Sequence, residues 1–160
     1  MALTFASKDF IRTESLLQAK SKKQLILTGA ARFNAKPKSG VTFLEENKLI
    51  YADLSPEMTK ARSLATFLKG CTRIDKRLLG DFISKPDNLD ILQTFIGLFD
   101  FKNVCVLSYI YLIQSSFYFQ KPVAEAMREL LEAFRLPGES QQISRIAETF
   151  ASTYFAAEPG

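Results

Sequence analysis

The 160-residue sequence contains no histidine and no tryptophan, and only two cysteines, Cys71 and Cys105. The missing histidine removes Ser-His and Cys-His nucleophiles, histidine acid–base chemistry and the usual zinc and iron ligand sets. Neither cysteine has a metal-ligating neighbour, so no metal or other cofactor is expected, and the two thiols suit a reduced, cytoplasmic setting. Met1 to Phe10 has neither the basic start nor the apolar run of a secretory leader. Alternating strand patterns and internal repeats are also absent.

What is present is apolar and helical. Hydrophobic residues make up 47% of the chain, enough for one domain with a real core. The net charge of +4 is uneven: Met1 to Gly40 holds eight Lys/Arg against Asp9 and Glu14, or +6, and the remaining 13 basic and 15 acidic residues give −2. A basic first third can attract an acidic membrane surface, at about 1 kcal/mol per well-placed lysine. It equally describes a solvated helix face. No nucleic-acid reading motif accompanies it, so no nucleic-acid partner is expected.

Helical periods and breakers divide the chain. Ser7 to Ala31 reads as one or two helices. Phe33 to Gly40, with Pro37 and Gly40, reads as a linker. Val41 to Leu49 reads as a short helix. Ser55-Pro56-Glu57 reads as a helix start leading into Ala61 to Leu68. Ile74–Ile83 and Asp87–Phe99 complete the middle. Val123, Ala126, Met127, Leu130, Leu131 and Phe134 then line one helix face, and Ile143, Ile146, Ala147, Phe150 and Tyr154 line another. The expected class is all-α, an array of short helices with no sheet.

Between the last two helices lies Phe134-Arg-Leu-Pro-Gly-Glu139. Pro137 pushes Leu136 out of the helical region, and Gly138 can take a positive φ cheaply. Glu139 then meets the partial positive charge of a new helix N-terminus, which favours an ionised, outward carboxylate. On local pattern alone, ordinary dipole matching is the better account of that placement.

The literal string is more specific. Phe134 to Glu139, followed by Gln141, Ile143, Arg145 and Phe150-Ala151, resembles the Sec-seven domain, the guanine-nucleotide exchange domain for Arf GTPases. Phe33-Asn34-x-Lys36-Pro37-Lys38-x-Gly40 with Phe43-Leu44 is similar to that family's opening motif. Ala65-x-Phe67-Leu68, Asp75-Lys76, Leu79-Gly80-Asp81 and Leu92 to Phe101 resemble its next landmarks, so the likeness covers about Leu25 to Tyr154. The Pro-Gly-Glu-Ser-Gln-Gln-Ile version is most like the large Golgi-type exchange factors of fungi.

The resemblance implies a right-handed array of helices, a GDP-bound Arf partner and a location peripheral to Golgi membranes. It makes Glu139 a glutamic finger, with Leu136, Pro137 and Gly138 shaping the tip and Ser140, Gln141 and Arg145 touching the GTPase. In that mechanism a carboxylate near the β-phosphate repels it, competes for the P-loop lysine and displaces magnesium. At about 4 Å and an effective dielectric near 20, one such contact is worth roughly 4 kcal/mol, on the order of a thousandfold in nucleotide affinity. No covalent bond changes, so histidine is not needed.

Two departures qualify the likeness. Residues 104–120 carry no charge, glycine or proline, with apolar residues on all sides, where the family passes almost directly from Phe99–Phe101 to the next helix. The segment is a poor membrane span. Val104-Cys105 can be encoded by the splice donor GTATGT and Phe119-Gln120 by the acceptor TTTCAG. A retained intron, translated in frame, is therefore the expected source, against a buried helix or a membrane-dipping piece. Secondly, the chain stops at Pro159-Gly160, before the family's groove-forming helices, which implies a partial domain over 1–160 that is weak or inactive alone. The alternatives are a non-catalytic helical module that binds a GTPase, and a membrane-associated module.

Overall fold

The computed structural model describes residues 3–104, 118–120 and 122–157. The chain forms two compact units, residues 1–52 and 53–160.

The first unit is a helical hairpin of α1 (Leu3–Ala35) and α2 (Pro37–Glu46). The expected linker at Phe33–Gly40 is not a linker. Helix α1 runs through Phe33 and Asn34 to Ala35, making one 33-residue helix rather than a short one. Only Lys36 is extended (φ −154°, ψ 107°), as the residue before a proline prefers. Pro37 opens α2 at the first helical position, where its missing N–H costs nothing. Helix α2 thus begins four residues before the expected Val41. Ala30, Phe33, Leu44 and Ile50 are buried, and the Arg32 guanidinium lies 4.4 Å from the Phe43 ring centre.

The second unit comprises α3 (Lys60–Gly70), α4 (Lys76–Ile83), a 3-10 turn (Pro86–Asn88), α5 (Leu89–Gly97), β1 (Lys102–Val104), β2 (Tyr118–Gln120), α6 (Val123–Ala133) and α7 (Ser140–Ala156). The expected start at Ser55-Pro56-Glu57 is instead a closed turn. There the Met58 N–H donates to Ser55 Oγ at 3.0 Å and the Ser55 N–H to the Met58 carbonyl at 3.2 Å. Helix α3 starts later, capped by Thr59, whose hydroxyl accepts from the Arg62 amide at 3.2 Å. Asp75 caps α4 through the Arg77 and Leu78 amides.

Helix α5 is the centre of this unit and packs on α3, α4 and α7. Its Leu92, Phe95 and Ile96 are fully buried, and each stabilises the fold by about 1.5–3 kcal/mol relative to exposure. An aromatic chain continues the core: Phe95 meets Phe134 edge-on at 6.1 Å, and Phe101 meets Phe150 at 5.4 Å.

The expectation of no sheet needs one correction. β1 and β2 pair antiparallel, with Lys102 opposite Gln120, Asn103 opposite Phe119 and Val104 opposite Tyr118. The two ends of the unusual 104–120 segment therefore meet side by side. Its interior, residues 105–117, lies outside the described residues. Among the described residues, no helix is long and apolar enough to cross a membrane.

Candidate functional site

The string between α6 and α7 is fixed from behind and exposed in front. Helix α6 buries Ala126 and Leu130. Phe134 follows as an extended residue (φ −148°, ψ 173°) with its ring wholly buried. Pro137 is buried, whereas Arg135, Leu136, Gly138 and Glu139 are exposed. Glycine at 138 is not needed for a positive φ, because none of the described glycines has one. The extended residue at Phe134 redirects the chain instead.

Glu139 is the N-cap of α7 (φ −88°, ψ 129°), and its side chain caps no amide. Its carbonyl starts the helix, accepting the Gln142 and Ile143 amides, each at 3.1 Å. The carboxylate thus stands exposed at the positive end of a 17-residue helix. Ser140 and Gln141 are exposed beside it. Arg145 is half-buried and is held in the scaffold, its Nη1 donating to the Ser84 carbonyl at 2.8 Å.

Helix α4 lies directly behind this turn. The Arg135 amide donates to the Lys76 carbonyl at 2.9 Å, and Lys76 Nζ reaches the Glu132 carbonyl at 2.6 Å. Gln142, buried on α7, donates from Nε2 to Asp81 Oδ1 at 3.3 Å. A Cβ on Gly80 would fall 1.9 Å from the Arg135 carbonyl oxygen, so the two backbones are in contact there. Arg77, Asp81, Arg135, Leu136, Pro137 and Gly138 line a shallow cleft of about 590 Å³ beside the tip.

The α4 residues Gly80 and Asp81, the α4 C-cap residue Ser84 and the α7 residue Gln142 were not among those the sequence marked as site residues. One signal was legible: glycine inside a helix costs about 1 kcal/mol against alanine, and its presence there asks for a close approach. Among the described residues no group of three Cys, Asp or Glu side chains lies close enough to hold a metal. What this arrangement offers is a rigidly mounted, solvent-facing negative charge next to an apolar tip.

A family model for the Sec7 domain matches residues 22–160. The chain belongs to the Sec7 domain family. It is 36% identical over 146 residues to the uncharacterized protein C211.03 of Schizosaccharomyces pombe, covering 91% of this chain and 8% of that protein. It is 35% identical over 139 residues to the ARF guanine-nucleotide exchange factor GNOM of Arabidopsis thaliana, covering 86% of this chain and 8% of GNOM. Among solved structures it matches that of ARF1-GDP bound to a Sec7 domain complexed with brefeldin A. There the TM-score is 0.67 at 35% identity, over 88% of this chain and 61% of that one. The expected all-α Sec7-type fold is therefore borne out. The chain spans under a tenth of the length of both relatives.

Proposed function

We propose that this chain is part of an Arf guanine-nucleotide exchange domain, one Sec7 domain over 1–160 interrupted at 104–120, and that Glu139 acts as its finger. The observation that carries the reading is the carboxylate of Glu139, exposed at the α7 N-cap and engaged in no cap bond. Glutamate carries one methylene more than the favoured capping residue aspartate and caps poorly, so the helix start leaves this carboxylate facing solvent, where a finger must present its charge to another molecule. Inserted near the β-phosphate of bound GDP, the charge would oppose the phosphate and compete for its lysine. The roughly 4 kcal/mol of one such contact accelerates release by electrostatics alone. Leu136 supplies an exposed apolar side chain beside it, Pro137 being buried, and Ser140 and Gln141 supply exposed polar contacts. The partner is a GDP-bound Arf-type GTPase. Membership of a large exchange factor agrees with the length of the two relatives, and we assign that factor to Golgi membranes.

The test is release of fluorescent GDP from an Arf protein at rising concentrations of this chain and of Glu139→Lys. Weak acceleration by the chain, visible at its highest concentrations and lost in the variant, is the expected result. Equal acceleration by the variant would overturn the assignment. Binding with no acceleration by either would favour the second reading, a helical GTPase-binding module.

A further inference from the structure

Five connections run from α4 to the turn that carries Glu139, and they grip both of its arms. On the α6 side are Lys76 Nζ to the Glu132 carbonyl, the Arg135 amide to the Lys76 carbonyl, and the backbone contact of Gly80 with Arg135. On the α7 side are Gln142 to Asp81 and Arg145 to the Ser84 carbonyl. The Gln142 contact lies in the first turn of α7, three residues after Glu139, and Gln142 is only 6% exposed. Ser84, at the far end of α4, is fully buried, and its hydroxyl donates to the Gly80 carbonyl at 2.7 Å. The carbonyl of Gly80 is thus tied back into α4 while its Cα faces Arg135.

We infer that α4 is the positioning element for Glu139: Gly80 sets how close the arriving strand lies, and Asp81, through Gln142, sets the first turn of α7. This rests on the exchange reading of Glu139. The geometric reason is that the finger's own backbone is short and exposed, so its placement is decided by what stands behind Arg135 and Gln142. Any side chain at position 80 must move the Arg135 carbonyl, because a Cβ 1.9 Å from that oxygen has to retreat by more than about 1 Å. Arg135 is four residues from Glu139, with no regular helix between them to absorb the shift. A misplacement of about 1 Å in a charge-delivering group can cost about a hundredfold in rate. Gly80, Asp81 and Gln142 are therefore positioning residues, which act on Glu139 through the turn.

The experiment compares the 160-residue chain with Gly80→Ala and Asp81→Ala by two readouts. Amide hydrogen exchange by NMR follows Arg135, Gln142 and Ile143, whose N–H groups define the turn, with Phe95 and Ile96 in α5 as controls. GDP release from an Arf protein gives the maximal rate and the half-saturating concentration separately. In Gly80→Ala the turn amides should exchange at least about tenfold faster while the α5 amides keep their protection. Its maximal release rate should fall about a hundredfold with little change in half-saturating concentration. Asp81→Ala, which removes the acceptor for Gln142 together with the exposed 3.9 Å ion pair of Asp81 with Lys85, should show the same pattern with a fall of about tenfold. Should Gly80→Ala fail to fold, Asp81→Ala decides alone. Unchanged turn amides, or loosened amides with an unchanged maximal rate, would overturn the inference. A half-saturating concentration that rises at constant maximal rate would also overturn it, assigning α4 to docking. If the unaltered chain releases no GDP, the exchange reading fails, and amide exchange alone then decides whether α4 holds the turn.

Discussion

Gly40 sits against the backbone of Phe33, where a Cβ would lie 2.4 Å from the Phe33 Cα and 2.5 Å from its nitrogen. That contact closes the α1–α2 hairpin and explains why a proline and a glycine stand together without breaking it. The Pro37 ring starts the second helix, and the bare Gly40 lets it fold back onto the first. Replacing Gly40 by alanine should destabilise the chain by about 1–3 kcal/mol through overpacking, although alanine is the better helix former by nearly 1 kcal/mol. Gly97, at the end of α5 with nothing within 4 Å of its Cβ direction, is the control and should be neutral or gain stability on the same change. Urea midpoints of the two variants measure this, and a stabilised Gly40→Ala would mean the hairpin can open without cost.

Arg145 tests scaffold against contact. Its bond to the Ser84 carbonyl is part-buried, and Ser84 itself is fully buried. Arg145→Ala should lower stability by about 1–3 kcal/mol, because it leaves that carbonyl without its donor. Thermal melts check this. Weaker GTPase binding at unchanged stability would instead make the residue a partner contact.

Removing residues 104–120 should leave the helical unit folded. Antiparallel partners lie about 4.5–5.5 Å apart, and the pairs Asn103–Phe119 and Lys102–Gln120 show that the chain leaves and returns at one place. The shortened chain is expected to keep its far-ultraviolet dichroism and cooperative melt and to gain solubility, since an uncharged 17-residue stretch favours association. Loss of cooperative unfolding would show that the segment is core. Sequencing the messenger across Asn103 to Lys121 checks its origin directly.

Tyr51 gives the first unit an alkaline limit. Its phenol is pushed above the ordinary value by burial and then by the Glu45 carboxylate. A raised folded pKa means that the unfolded chain releases the proton first, so the contribution is complete below about pH 10 and is lost as the pH climbs through the folded value. Denaturant titrations should show stability falling more steeply above about pH 10 in the unaltered chain than in Tyr51→Phe. Parallel curves would remove Tyr51 from the account.

The sequence by itself determined the class and the place of the turn that carries Glu139. Its apolar periods marked the faces of α4, α5, α6 and α7, and Phe134 to Glu139 lay between two helices where the breakers put it. These are local properties, since spacing and turn chemistry act within a few residues. Where a residue serves two structures, the sequence was ambiguous. Pro37 and Gly40 look the same in a linker and in a helix start packed on its neighbour, and Ser55-Pro56 looks the same in a turn and in a cap. Only the tertiary structure decided that α4 stands behind Glu139. Gly80 and Arg135 are 55 positions apart in sequence, and nothing in either segment announces that their backbones touch. A contact of that kind depends on how helices pack around α5, which is settled by the whole buried core rather than by any one stretch of chain.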